Sequence, residues 1–455
     1  MGDQTRLPRP GAGTYVLVVL LIGSTLSYID RQIISLVVQP IKTAFGLSDT
    51  QVGLLQGIAF SLCYAVAGLP LALAVDRSNR VRLASACVTV WSMATSACGM
   101  VSSYIGLLLA RATTAVSEAG FSPAALSILS DVVPPQRIAR VGAIYLLGPA
   151  LGVGLALMLG GWTLEWLEST GGLSLFGVQY APWQALFICI GAPGLIVAAL
   201  ILATIREPAR TDAAIAARRS PGNARSLFAA LRTTGDFLIP YVIGTTLIML
   251  VQFAQAAWMP TFFVRQWGLE PHSAGQTLGP IFIVSAIAGA ITTGVLAKGE
   301  DGQRTLERVV QIVLVGSAVL GPSIVLLPLV PSYTLALVLF SALAFSFSAI
   351  ASLSTAPMLL VMPSAVRGQS IAAGGFLLAV VGGGGGPLAV GLATDYLFQD
   401  EAKIGWSISL VCGISVAAGV ASMLRARHVL IHRWGVRRDA ATPSVSSIPA
   451  HSNET

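Results

Sequence analysis

Apolar residues along the chain gather into twelve runs, near 15–38, 50–75, 81–101, 104–129, 138–163, 183–205, 236–264, 274–298, 306–328, 333–358, 370–395 and 405–427. Each is close to the ~20 residues that cross a hydrocarbon core as a helix. The pattern predicts an all-α membrane protein with twelve transmembrane helices. The first run follows a short polar start with Arg6 and Arg9, but it is too long and too interrupted for a signal peptide's apolar region. It reads as a retained helix.

Composition agrees. The chain is 55% hydrophobic and 10% charged, where soluble globular domains run at about 25% charged. Of its 27 Lys and Arg, Arg31 and Arg111 lie within runs and Lys42, Arg265 and Lys403 fall in odd-numbered loops. The rest occupy the termini and even-numbered loops, which places both termini in the cytosol by the positive-inside rule and the protein in the inner (cell) membrane. The net charge of +7 is thus a topology signal spread over separate loops, and it excludes a nucleic-acid patch. Cys63, Cys87, Cys98, Cys189 and Cys412 are odd in number and lack CxxC spacing, so they read as small apolar packing residues rather than disulfide or metal ligands. All four histidines lie outside the runs. An intramembrane zinc site and a histidine proton relay are both excluded.

The longest interior loop divides six runs from six. The resulting organisation is a cytosolic segment 1–14, a six-helix bundle 15–205, a linker 206–235, a second bundle 236–427, and a largely disordered cytosolic tail 428–455 rich in Ser, Pro and Ala. Two parallel six-helix halves match the major facilitator architecture, in which substrate binds near the midplane between them.

Four charges break the apolar runs: Asp30 and Arg31 in "STLSYIDRQIISLVV", and Arg111 and Glu118 in "LLLARATTAVSEAGFSP". A charge at the bilayer centre costs roughly 2.5–3.5 kcal/mol even on the lenient insertion scale, so intramembrane ionisable groups mark function. Arg111 and Glu118 are about 700° of rotation and ~10.5 Å apart on one helical stripe, with Thr114 and Ser117 beside it. By rise, Asp30 lies ~23 Å above the cytosolic start of helix 1 and Arg111 ~10 Å below the outer start of helix 4, at about one level. The quartet is neutral, as a mutually paired, cavity-facing site would be. A static ion-pair cluster that fixes helix packing is the competing reading. The sequence leaves open whether Arg31 faces Asp30, Glu118 or substrate.

Aligning the two halves puts the counterparts of Asp30 and Glu118 near Ala254 and Ser348, both uncharged. The second half offers Gln252, Gln255 and Trp258 on helix 7 and Phe345 and Phe347 on helix 10, facing Tyr28 and Ser117 of the first half. A charged wall opposite an apolar, aromatic wall suits an amphipathic ligand. The run Gly382 to Gly386 before Pro387 is read as close helix packing or a hinge, since a phosphate-binding loop would need its lysine and hydroxyl.

The loop "LALAVDRSNRVRL" keeps Asp76, Arg77 and Arg80 of the major facilitator pattern G-x-x-x-D-R-x-G-R-R, with Ala72 and Asn79 where glycine is usual. Asn79 is expected to supply a left-handed turn. By resemblance, Asp76 belongs to a cytosolic latch, with Arg140 as its partner. Together, "LSYIDRQIISLVVQPIKTAFGLSDTQVGLLQG", this loop and "ARATTAVSEAGFSPAALSILSD" resemble the spinster family of the major facilitator superfamily, most strongly over residues 17–153. The resemblance implies no enzyme activity and no cofactor, but proton-coupled transport of lysolipids or sphingoid lipids such as sphingosine-1-phosphate by a monomer among membrane lipids. It assigns proton binding to Asp30 and Glu118, with Arg31 and Arg111 as counter-charges or head-group ligands. A proton symporter of small organic or aromatic acids is the alternative.

Overall fold

In the computed structural model, the described residues are 12–175, 177–209, 224–297 and 302–434. Most of the N-terminal segment, the middle of the linker and the tail beyond residue 434 lie outside the described residues. The chain is almost wholly helical. Helix 1 (Ala12–Gln32) passes through a 3-10 turn (Ile33–Leu36) into a short helix, Val38–Phe45. Helix 2 is Asp49–Gln56 and Ile58–Arg77, broken at Gly57; helix 3 is Arg80–Cys98 and helix 4 Tyr104–Val132. Helix 5 is Pro135–Tyr145 and Leu147–Ser169, and helix 6 is Pro182–Thr204 after a small hairpin, Leu173–Leu175 with Val178–Tyr180. The second half comprises helix 7 (Ala224–Trp267), helix 8 (Pro271–Leu296), helix 9 (Gly302–Leu326) and helix 10 (Tyr333–Ala351, with Ala356–Val361). Helix 11 runs from Ser364–Leu377 through Gly385–Leu392, and helix 12 is Ile404–Val429.

Eleven of these are long and apolar enough to cross a membrane. Helix 4, at 29 residues, is the twelfth, and it carries Arg111, Glu118 and Asp131. Large apolar side chains such as Val66, Ile105, Ile196 and Val284 are exposed on the outside, as lipid rather than water requires. Helix 7 begins within the stretch read as linker, because Leu227 and Leu231 give it an apolar face that packs on the core.

The two ends of the bundle are the linker end, where helix 6 stops and helix 7 starts, and the far end, where Phe45 and Trp267 lie. The halves meet along helices 5 and 8 and along helices 2 and 11. Glycine makes both contacts close. A Cβ on Gly275 would come 2.5 Å from the Leu157 carbonyl, one on Gly279 2.6 Å from the Met158 nitrogen, and one on Gly57 2.5 Å from the Gly384 carbonyl. The glycine run of helix 11 is π-helical from Leu378 to Gly384 and also lies against helix 2, with a Cβ on Gly383 only 2.7 Å from Ser61 Oγ. Small residues let backbones approach where lipid supplies no hydrophobic drive for association.

Gly279→Val should therefore push helices 5 and 8 apart and cost roughly 1–3 kcal/mol of stability. Gly294→Val, on the same helix with nothing within 4 Å, should melt like the parent. Equal thermal midpoints for the two variants would contradict this packing account.

Candidate functional site

Helix 1 leaves the α conformation after Gln32, and a helix end leaves carbonyls without partners. Arg111 supplies donors for two of them. Its Nη1 donates to the Asp30 carbonyl at 3.0 Å and its Nη2 to the Arg31 carbonyl at 3.3 Å. The equal depths expected of Asp30 and Arg111 are thus observed. A cation at the negative end of a helix dipole is also favourable, so Arg111 fixes where helix 1 breaks.

Arg31 faces Glu118, one of the alternatives the sequence leaves open. Its Nη2 donates to Glu118 Oε2 at 2.7 Å. The guanidinium also lies over three rings, Tyr28 at 4.7 Å, Phe60 at 4.7 Å and Tyr64 at 4.8 Å, while Arg111 lies 4.9 Å from Phe60. An aromatic cage stabilises a cation without neutralising it. The Glu118 side chain is fully buried, whereas the Arg31 side chain keeps 22% of its surface open. Of the pair, the cation is the one a ligand can reach.

Around them lie buried polar atoms with no protein partner: Asp30 Oδ1, Arg31 Nε, Thr95 Oγ1, Arg111 Nε and Glu118 Oε1. Buried polar groups are normally paired. Five such atoms concentrate around the Arg31–Glu118 pair. No cluster of three or more metal-binding side chains occurs among the described residues.

The remaining expected cavity residues divide. Gln252 and Gln255 are buried with unpartnered Oε1 atoms. Ser117 donates to the Thr113 and Thr114 carbonyls of its own helix. Trp258 is fully buried, and its indole donates to the Pro387 carbonyl at 2.9 Å. Phe345 is half-buried, with its carbonyl filling the space beside Gly289 on helix 8.

At the linker end, Arg80 is buried and ties helices 3 and 4 to the segment after helix 6. It donates to Glu207 at 2.7 Å, to Ser127 Oγ at 3.0 Å, to the Pro208 carbonyl at 2.7 Å and to Asp131. Asp76, Arg77 and Arg140 are exposed, and no ion pair joins Arg140 to Asp76 among the described residues. Asn79 departs from expectation. Its backbone is extended (φ −70°, ψ 113°), and its side chain accepts from the Arg82 N–H as the N-cap of helix 3. Capping satisfies an otherwise orphaned donor, so no left-handed turn is needed.

The far end holds a network that the sequence does not announce. Lys42 donates to Asp49 at 2.5 Å and Glu401 at 2.9 Å; Arg265 reaches Asp49 at 2.7 Å and Glu401 at 3.2 Å. The Asp395 carboxylate accepts from the Asp49 and Thr50 N–H groups, capping the first turn of helix 2 from the other half of the molecule. His272 pairs with Glu168 at 2.7 Å, Gln276 donates to Glu165, and Gln32 donates to the Ala256 carbonyl. All of these polar contacts between the halves lie in the far portion of the molecule, beyond Arg31.

The family model for the major facilitator superfamily matches residues 20–387. The chain belongs to this superfamily. Within it the spinster resemblance holds. An MFS-type efflux pump of Mycolicibacterium smegmatis is 31% identical over 393 residues, covering 84% of each chain. The sphingosine-1-phosphate transporter SPNS2 of Danio rerio is 24% identical over 92% of this chain and 84% of its own length. In fold, the chain matches the crystal structure of a bacterial homologue of the human lysosomal transporter spinster, in an inward-facing and occupied conformation, with a TM-score of 0.69, 24% identity, and 95% and 98% coverage. This major facilitator protein is a multi-pass membrane transporter of a small-molecule substrate, not an enzyme.

Asp49→Asn should weaken both the Lys42 and Arg265 pairs. Breaking a buried pair costs on the order of 3–5 kcal/mol, enough to shift the far end toward opening. With the five native cysteines replaced, Ser35→Cys beneath the network should react faster with an impermeant maleimide when combined with Asp49→Asn than alone. Unchanged labelling would remove the network from gating.

Proposed function

We propose that this protein is a proton-coupled secondary transporter of an anionic, lipid-like amphiphile, working by alternating access, with its linker end and both termini in the cytosol of a cell membrane. The single observation that supports it best is the Arg31–Glu118 pair, in which a partly open cation in an aromatic cage is held by a fully buried carboxylate. An anionic head group arriving on Arg31 competes with Glu118. Once Arg31 turns to the ligand, Glu118 is a buried carboxylate without its counter-charge, and burial then favours its neutral, protonated form. Proton and anion are thereby bound in the same state.

Asp30 is the second protonatable group. It is buried beside Arg111 and Glu118, and its backbone carbonyl accepts from Arg111 at the broken end of helix 1. The only coupling ion the mechanism requires is the proton. The Danio rerio relative is named for a single-chain anionic lipid, which fits a caged arginine opposite an apolar half. A ligand that redistributes these pairings changes the relative energies of the two gating states, as differential binding must if it is to drive the transition.

Glu118→Gln should keep ligand binding, because the amide mimics the neutral acid, and should abolish proton-driven accumulation in proteoliposomes. Wild-type accumulation with wild-type proton sensitivity would remove Glu118 from the mechanism. Asp30→Asn should slow turnover and shift cysteine labelling toward one end of the molecule. Normal turnover with the parental labelling pattern would exclude Asp30.

A further inference from the structure

Helices 7, 10 and 11 leave a groove of ≈ 320 Å³ on the outer surface of the second half. Ile239 and Ile243 of helix 7 and Ala373 of helix 11 line it and are exposed, while Met358 and Met362 at the end of helix 10 are buried beneath them. Its one serine, Ser370, donates to the Val366 carbonyl of its own helix at 3.0 Å. The walls are thus apolar. Because Ile239, Ile243 and Ala373 belong to membrane-spanning stretches, an opening here meets lipid rather than water. An acyl chain suits such a space, and the groove's two ends show what kind of lipid would carry it.

At the linker end each long wall finishes in an arginine. On helix 7, Arg232 precedes Ile239 and Ile243 by seven and eleven residues, which at about 100° per residue returns it to within ~20° of their face. On helix 11, Arg367 precedes Ser370 and Gly374 by three and seven residues and shares their face in the same way. The Arg232 guanidinium lies over the Phe228 ring at 4.7 Å, and Arg367 donates its Nε to the Met362 carbonyl at 3.3 Å. Neither meets a carboxylate among the described residues; Asp236, one turn on from Arg232, accepts from the Phe237 N–H. Depth adds a second constraint. Arg232 to Ile243 rises ~16 Å and Arg367 to Leu377 ~15 Å, each about half of a ~30 Å hydrocarbon core. The apolar walls therefore run the depth of one leaflet below two uncompensated cations.

We propose that this groove holds a resident anionic phospholipid of the linker-end leaflet, with its phosphodiester on Arg232 and Arg367 and one acyl chain lying along Ile239, Ile243 and Leu377. Guanidinium groups match phosphate oxygens in charge and geometry, and basic pockets between membrane helices select anionic head groups. All the walls belong to the second half, so the lipid rides with that half when the halves rock. Its chain also lies against Leu377, just before the π-helical segment Leu378–Gly384 that packs on helix 2. The site is separate from Arg31 and independent of which small molecule is carried.

The test uses full-length protein in neutral detergent, with dioleoyl phosphatidylglycerol as the anionic probe and dioleoyl phosphatidylcholine as its zwitterionic counterpart, bound lipid being counted by native mass spectrometry. The parent should prefer phosphatidylglycerol. One arginine near an anionic head group contributes roughly fivefold in affinity, so Arg232→Gln and Arg367→Gln should each lose about that much phosphatidylglycerol binding, and Arg367→Lys should recover most of it. Ala373→Phe, which fills the groove from an exposed position, should lower retention of both lipids. Arg82→Gln removes an exposed charge from the linker end of the first half and should bind both as the parent does. Parental melting without added lipid verifies the fold; if Arg367→Gln melts lower, Arg232→Gln and Arg367→Lys carry the test. Equal affinity for the two lipids in the parent, or an equal loss in Arg82→Gln, would reduce the contact to ordinary interfacial attraction and overturn the site. Parental phosphatidylglycerol binding by Ala373→Phe would leave the groove empty and overturn it as well. A matching loss of lysophosphatidic acid binding in the groove variants, measured without phospholipid, would assign the groove to the transported ligand and overturn the resident lipid.

Discussion

A guanidinium inside a membrane needs a partner, and the choice of partner organises this molecule. Arg31 is answered by one carboxylate and three aromatic faces, Arg111 by the carbonyls of a broken helix. These solutions differ in kind. Carbonyls cannot take up a proton, so Arg111 is a fixed post; a carboxylate can, so the Arg31 pairing is open to exchange. The break in helix 1, the depth of helix 4 and the aromatic face of helix 2 all serve to hold that one exchangeable pair in a low-dielectric site where its rearrangement is energetically large.

Such a rearrangement matters only if the two halves can rock, and the packing is divided accordingly. At the far end, charge pairs and close glycine contacts work on the same surface, and Asp395 caps helix 2 from across the interface. At the linker end, Arg80 binds helix 3, helix 4 and the segment after helix 6 within one half. On the proposed alternating-access cycle the first network would separate and the second would move as a unit. Ion pairs suit the separable surface because each partner can be rehydrated when the end opens, which a buried apolar contact would resist.

Much of this is legible in the residues. Twelve apolar runs become twelve helices, and the four intramembrane charges gather in one half with Asp30 and Arg111 at one level, because burying charge is too costly to occur without a reason. Phe60 and Tyr64 are not legible, since an aromatic in an apolar span looks ordinary until its neighbour is known to be a guanidinium. The far-end network is hidden for another reason: Lys42, Asp49, Arg265, Asp395 and Glu401 each look like an ordinary loop or helix-end charge, and only the tertiary fold brings them together. Asn79 departs from its expected turn because its residue type suits both a left-handed turn and a helix cap, and the local sequence does not distinguish them.

The central claim is that an anionic head group displaces Glu118 from Arg31 and that Glu118 then takes up a proton. Calorimetric titration of the purified protein with a lysophosphatidic acid, repeated in two buffers of different ionisation enthalpy, counts protons taken up per ligand bound. The account predicts net proton uptake by the parent and none by Glu118→Gln, at comparable affinity. Binding by the parent with the same heat in both buffers would contradict it.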